Sequence, residues 1–271
     1  MNNPPPPAPP ADAPPGFRIH ALTGAATGRS RELSGPLSAE ITAALAASPS
    51  GEIAVRSLDV NIPLLEKNDI LAERNRGYFL GRGLAALNLV SSPGAGKTTL
   101  LERTLDEFGR QQKCAVLVGD LETDNDGRRL SRPHAPVAQI TTGTVCHLDA
   151  GMIARAAQSI DLDGVRVLFI ENVGNLVCPA SFDLGEQVRV VLLSTTEGED
   201  KPLKYPPIFK SAHLVLLTKV DVADVLGFKR DVAVANIRRI APQAKIIQLS
   251  ARTGEGLPEW YEFLRALTVR P

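Results

Sequence analysis

The run SSPGAGKTTL, residues 91–100, packs two glycines, a lysine and two threonines between an apolar stretch and an amphipathic one. Gly94 and Gly96 allow a backbone to wrap closely around an anion. Lys97 would bring positive charge to the β- and γ-phosphates of a nucleotide and Thr98 a hydroxyl to Mg²⁺, while the amides opening the next helix point the same way. Ala95 and Thr99 complete the set expected to touch phosphate. The usual spacing of such a loop is G-x-x-x-x-G-K-[ST], and Ser91 stands where its first glycine would be. That first glycine mainly relaxes the turn, whereas 94–98 hold the phosphates.

Further groups fall at the ends of apolar runs. Asp120, in VGDLETDND, ends one run where a switch segment would meet Mg²⁺ or the γ-phosphate. Glu171, in LFIENVGN, ends the next, in the place of an acidic Mg²⁺-organising residue. E-N-V-G there can stand for the D-x-x-G of GTPases, with Gly174 as the hinge that senses the γ-phosphate. LLTKVD (216–221) resembles the guanine-reading N-K-x-D. Asp221 would accept from guanine N1–H and the exocyclic amine, and Lys219 would lie along the base. Thr218 replaces the asparagine and brings one hydroxyl instead of an amide. LSARTGEG (249–256) resembles the loop in which Ser250 and Ala251 approach guanine O6. The two segments in this order favour GTP over ATP. Lys97, Asp120 and Glu171 are the residues expected to carry hydrolysis. Neither a water-positioning glutamine nor an arginine finger stands out, so turnover is expected to be slow.

TTGTVCHLDAGM (141–152) sets Cys146 beside His147 in a chain with three cysteines. Thiolate and imidazole together suit zinc, copper or nickel, yet a lone cysteine is also a small apolar packing group, so the pair by itself leaves both readings open. An odd and small cysteine count argues against a disulfide framework and for a reducing, cytoplasmic setting. Cys114, which begins an apolar run, reads as packing. His213 reads as a strand-edge residue, and His20 and His134 have no assigned role.

The elements that must hold these groups follow from periodicity. Near-continuous Val/Leu/Ile runs at 86–91, 114–119, 166–171, 188–193, 213–218 and 244–249 alternate with amphipathic stretches at 97–111, 148–160, 229–240 and 257–268. Strands buried on both faces and separated by helices imply an α/β fold with a mostly parallel, doubly wound sheet and helices on both faces, a P-loop NTPase architecture. Ligands in such sheets bind beyond the C-terminal strand ends, where the motifs fall. Residues 62–80 have helical spacing, with apolar positions at 64, 65, 70, 71 and 78–80, and are expected to pack on the domain that follows. The domain is placed at 61–271. Residues 1–60 read as a Pro/Ala/Gly-rich tail, largely disordered, with one weak helical stretch at 38–47; MNNPPPPAPPADAPPG has too few apolar groups to pack. Thirty basic and thirty acidic residues cancel, so no bulk field points to nucleic acid. No apolar run reaches the roughly 18 residues that cross a bilayer, and no signal peptide opens the chain.

NLVSSPGAGKTTLLE, GDLETDND, CHLDAGMI, FIENVGNLVCPASFDLGE, STTEGEDKPLKYP and SARTGEG together resemble the HypB family of hydrogenase nickel-incorporation GTPases, over residues 62–268 and in order. The resemblance implies a dimerising P-loop GTPase, of the class of the urease nickel GTPase, that helps deliver Ni²⁺ to the large subunit of [NiFe]-hydrogenase. It implies a Ni/Zn site of Cys146, His147 and Cys178, Mg²⁺ held by Thr98, Asp120 and Glu171, GTP/GDP as nucleotide and a HypA-type maturation partner. Some members carry an N-terminal Cys-x-x-Cys-Gly-Cys motif or a histidine-rich stretch; residues 1–60 here have no cysteine and only His20. Cys178 lies seven residues past Glu171, so the metal set is expected to follow the nucleotide switch. The competing reading is a GTPase switch or chaperone for another metalloenzyme, of the urease or cobalamin-enzyme kind, with its cysteines as packing.

Overall fold

The computed structural model describes residues 18–22, 64–121, 125–132 and 134–268. In chain order the elements are β1 (Arg18–Leu22), α1 (Leu64–Arg82), β2 (Ala85–Ser91), α2 (Lys97–Glu107), β3 (Cys114–Asp120), α3 (Asn125–Leu130), β4 (Val137–Thr141), α4 (Ala150–Gln158) and β5 (Val167–Glu171). A 3₁₀ turn at Cys178–Ser181 leads to β6 (Val188–Ser194), α5 (Lys201–Lys204), α6 (Pro206–Lys210) and β7 (Leu214–Thr218). A second 3₁₀ turn, Val220–Val222, leads to α7 (Arg230–Ile240), β8 (Lys245–Gln248) and α8 (Leu257–Thr268).

Among the described residues one eight-stranded sheet runs β1-β4-β3-β5-β2-β6-β7-β8. β2 to β8 are parallel, and β1 lies antiparallel on β4. Every residue of β2, β5, β6 and β7 is buried, as the near-continuous apolar runs require for strands covered on both faces. Leu87, Leu89, Val190 and Leu192 face Leu100, Leu101 and Leu105 of α2 and Trp260 and Leu264 of α8. The alternate residues face the other side, under Met152 and Ile153 of α4 at one end and Ile208, Phe209 and Ile237 at the other. Trp260 is fully buried, and its Nε1 donates to Thr104 Oγ1 at 2.9 Å, so its one polar atom is satisfied.

Three differences from the sequence expectations have physical causes. β4 was not expected, because VAQIT carries Gln139 in mid-strand; that glutamine is buried, and its Oε1 accepts from Gly127 N at 3.0 Å. β1 falls inside the stretch assigned to a tail, where five residues are too few for a periodicity to register; the 1–16 and 38–47 expectations lie outside the described residues. α1 forms and packs on α4, but by only some of its apolar positions. Leu65, Ile70, Tyr78 and Leu80 are exposed, while Asn68, Ala72, Asn75 and Phe79 are buried. That spacing of four, three and four is one helix face. Its two asparagines reach backbone groups: Asn68 Nδ2 to Asp183 O at 2.8 Å, Asn75 Nδ2 to Ala150 O at 2.8 Å and to Leu184 O at 3.0 Å, with Ala150 N donating to Asn68 Oδ1.

Candidate nucleotide and metal sites

The loop between β2 and α2 lies at the C-terminal edge of the sheet. Gly94 and Gly96 both have left-handed backbones, φ 72° and 100°, where a side chain would be strained. Gly96 is the N-cap of α2 and offers no side-chain acceptor, so the first amides of the helix stay open to an anion. Lys97 is buried, and its Nζ donates to Ser91 Oγ at 2.9 Å, so the residue replacing the first glycine holds the lysine. Burial lowers the Lys97 pKa, and Glu171, Asp126, Glu197 and Asp120 pull it back up.

Glu171 closes β5 and is 3% exposed. Its Oε1 accepts from Thr98 Oγ1 at 2.7 Å, while Oε2 is buried without a hydrogen-bond partner. Burial pushes this carboxyl up to about 7, against the pull of Lys97 and of the Thr98 hydroxyl. A buried carboxylate oxygen left without a donor beside a threonine hydroxyl is a donor set that fits a hard divalent cation such as Mg²⁺. Asp120 ends β3, its Oδ1 accepting from Leu121 N at 2.7 Å, and it adds to the field around Lys97. The sequence reading passed over Glu197. Its Oε2 accepts from Ser92 Oγ at 2.6 Å and its Oε1 from Ser194 N at 3.1 Å, tying the β6 end to the phosphate loop. Its place just past a buried apolar run, like that of Asp120 and Glu171, was the available signal. Arg129 was also missed; its Nη2 donates to Thr99 Oγ1 at 3.3 Å from α3, a helix too short to show a pattern.

Ala95, Gly96, Thr218, Lys219, Asp221, Ser250 and Ala251 share the lining of one pocket of ≈ 250 Å³. Thr218 Oγ1 donates to Ala95 O at 2.8 Å, so the threonine joins β7 to the phosphate loop with its single hydroxyl. Lys219 is the one non-glycine with positive φ among the described residues, at 57°, and its Nζ donates to Gly94 O at 2.7 Å. This twist carries the chain into the turn that bears Asp221.

Cys146, His147 and Cys178 come together, each offering a ligand atom within 4.8 Å of the others. Two locally determined elements place them. Asp149 caps α4 by accepting from Met152 N at 2.7 Å, which leaves Cys146 and His147 in the loop just before the helix. Leu148 is fully buried against Gly119, where a Cβ would lie 2.7 Å from the leucine side chain. Cys178 opens the 3₁₀ turn after β5, and the two sulfurs are 2.8 Å apart. The Cys146 pKa is raised, first by its hydrogen bond to Cys178. The His147 ring stacks on Phe182 at 3.9 Å, its Nδ1 buried without a hydrogen-bond partner and its pKa lowered by burial. A neutral imidazole beside two thiols is a soft donor set suited to nickel or zinc. Gly174 stands between this cluster and the phosphate loop; a Cβ there would lie 2.9 Å from Pro93 Cα.

Cys114 is fully buried in β3, its thiol pushed up to about 12 by burial alone, and it takes no part. His213 Nδ1 accepts from Arg189 N at 3.0 Å at the head of β7, a structural contact.

The fold and site define a P-loop nucleotide-binding protein. Residues 85–248 match the family described as CobW/HypB/UreG, nucleotide-binding domain. The chain is 53% identical over 209 residues to the hydrogenase maturation factor HypB of Escherichia coli strain K12, covering 77% of this chain and 72% of that protein. The crystal structure of HypB from Archaeoglobus fulgidus superposes with a TM-score of 0.71 at 40% identity, covering 75% of this chain and 99% of that one. HypB from Helicobacter pylori in complex with nickel gives 0.71 at 40% identity, with 74% and 95% covered. The chain belongs to the HypB family of hydrogenase maturation factors. No helix among the described residues is long and apolar enough to cross a membrane.

Proposed function

We propose that this protein is a GTP-hydrolysing nickel metallochaperone of the cytoplasm that supports nickel insertion into the large subunit of [NiFe]-hydrogenase. The observation that carries the reading is the continuity of one segment: Glu171 faces Thr98 and Lys97, and seven residues later Cys178 meets Cys146 and His147. The nickel bound by the Helicobacter pylori relative supports the choice of cargo.

In this reading the amides of 94–98 and Lys97 cradle the phosphates, with Thr99 beside them, and Asp221, Lys219, Ser250 and Ala251 select guanine while Thr218 braces the loop. Thr98, Asp120 and Glu171 would hold Mg²⁺, which when bound offsets charge on the β- and γ-phosphate oxygens. Glu171 keeps the Thr98 hydroxyl oriented, and Gly174 meets the γ-phosphate side of the loop through Pro93. Hydrolysis in the isolated chain is slow. Nickel is cargo, held by Cys146, His147 and Cys178, a set one short of the four that close a structural zinc site. A water or a second copy completes it, consistent with a homodimer that hands metal on with a HypA-type partner, and zinc competes.

Competitive binding of GTP and ATP tests the base, and a preference for ATP refutes the reading. Nickel titration of wild type, Cys146→Ala and Cys178→Ala tests the cargo site. Loss of one equivalent in both variants is expected; unchanged stoichiometry in both assigns the cysteines to packing.

A further inference from the structure

Two asparagines flank Gly174, and both reach across to the loop that carries Cys146 and His147. Asn172, directly after Glu171, is 2% exposed. Its Oδ1 accepts from Leu148 N at 3.3 Å, one residue past His147, and from Val173 N at 3.0 Å. Its Nδ2 donates to Asn88 Oδ1 at 3.2 Å on β2, and its backbone N–H donates to Leu89 O at 3.0 Å, so it is fixed to the strand that leads into the phosphate loop. Asn175 stands on the other side of Gly174. Its Nδ2 donates to Cys146 O at 3.2 Å, and its Oδ1 accepts from Val177 N at 2.9 Å, the amide just before Cys178. One side chain thus spans both cysteine-bearing segments, and the two asparagines hold the chain on either side of His147, at the Cys146 carbonyl and the Leu148 amide.

Of the two residues between them, Gly174 lies against the phosphate loop. Gly174 packs so closely on Pro93 that a Cβ would meet its backbone, so displacement of the phosphate loop and displacement of this segment are not independent. We propose that Asn172 and Asn175 are positioning residues that convert the nucleotide state of the phosphate loop into a change of geometry at Cys146, His147 and Cys178. This rests on the nickel reading given above and adds to it the residues that do the coupling. Asn175 governs the distance between the two thiols, because it holds Cys146 by a carbonyl and Cys178 through the turn at Val177. Asn172 governs His147, because it fixes the next amide while Leu148 is anchored under β3. Neither asparagine belongs to the Cys146–His147–Cys178 set or lines the pocket of Asp221, so each can be changed without removing a proposed ligand.

The test uses the full chain with Mg²⁺ and either GDP or a non-hydrolysable GTP analogue. Ni²⁺ affinity is measured by chelator competition, and thiolate-to-nickel absorption reports the ligand set. Wild type should show affinities that differ between the two nucleotides by a factor within the usual range for coupled sites, about 5 to 150. In Asn175→Ala and Asn172→Ala that ratio should fall to within about twofold of one, with one nickel still bound, and nickel should cease to alter nucleotide affinity, since coupling is reciprocal. Asn175→Asp keeps the acceptor for Val177 N and removes the donor to Cys146 O, and it serves if an alanine variant does not fold. It should be uncoupled too, although the turn is intact; a wild-type ratio in the aspartate variant overturns the tie to Cys146. A wild-type ratio in the alanine variants overturns the proposal, as does loss of stoichiometric nickel in them, which would make these residues builders of the site. Nickel binding in wild type with a ratio of one leaves the cargo reading standing and refutes the coupling. No nickel binding in wild type refutes both.

Discussion

Glu171→Gln isolates the energetic cost of the buried carboxyl at the end of β5. Burial holds this group at about 7 in the fold, against an ordinary 4.5. The folded state therefore binds a proton that the unfolded chain has released. The stability this confers is complete below pH 4.5 and is lost as pH rises through 7. At about 1.4 kcal/mol per tenfold difference in proton affinity, the loss approaches about 3 kcal/mol by pH 8. The stability of the glutamine variant relative to wild type should thus rise by about 2 to 3 kcal/mol between pH 4.5 and 8. The glutamine amide adds a pH-independent offset, which the slope of the difference removes. Urea denaturation of both proteins in chelator, without nucleotide and under reducing conditions, measures it. A difference flat to within about 0.5 kcal/mol across that range would mean that Glu171 is ionised throughout, and the buried, underpartnered carboxyl would be refuted. With Mg²⁺ and GTP the order should invert: wild type gains stability from binding and the variant gains far less.

Gly174→Ala forces its methyl into the Pro93 backbone at 2.9 Å, so stability should fall by about 1 to 3 kcal/mol and nucleotide affinity with it, read by denaturation and by titration with labelled GDP. Thr218→Val keeps the shape of the side chain but removes the hydroxyl that donates to the buried Ala95 carbonyl. GDP affinity should drop about tenfold, equivalent to about 1.4 kcal/mol, and an unchanged affinity would deny the threonine its bracing role. Thiol labelling of the native chain followed by mass spectrometry should modify Cys146 and Cys178, which are half-buried, and spare Cys114, whose thiol burial pushes to about 12. Ni²⁺ should protect the first two and leave Cys114 unaffected.

The parallel sheet was legible because strands covered on both faces are built mainly from apolar residues, and β2, β5, β6 and β7 are, with Asn88 and Arg189 as isolated interruptions. β4 was hidden because Gln139 splits a run of only five residues, yet the residue is buried, its Oε1 accepting from the Gly127 amide. The face of α1 was misread for the same reason. Asn68 and Asn75 look like solvent residues in a helical pattern, and only the carbonyls they meet reveal that they are buried. At the site, glycine and lysine spacing announced the phosphate loop because so few residues can do that chemistry. Cys146 and His147 were visible as a pair, but their approach to Cys178 depends on how β5 is threaded beside β3, which no local pattern encodes. Asn172 and Asn175 were invisible as functional residues, since an asparagine in a loop has a turn-forming use of its own.

The hydrogen bonds of α1 have a bearing on where this protein can be divided. The family match begins at residue 85, after the helix, yet Asn68, Asn75 and Arg76 supply donors to the carbonyls of Asp183, Ala150, Leu184 and Glu186. These acceptors flank the loops that carry the metal ligands and Phe182. A chain cut where the family model begins would keep every nucleotide-binding motif and strand from β2 to β8 while leaving the carbonyls of Asp183, Ala150, Leu184 and Glu186 without these donors. The stretch that the family model spans and the unit these hydrogen bonds tie together have different edges, and the difference is one helix long.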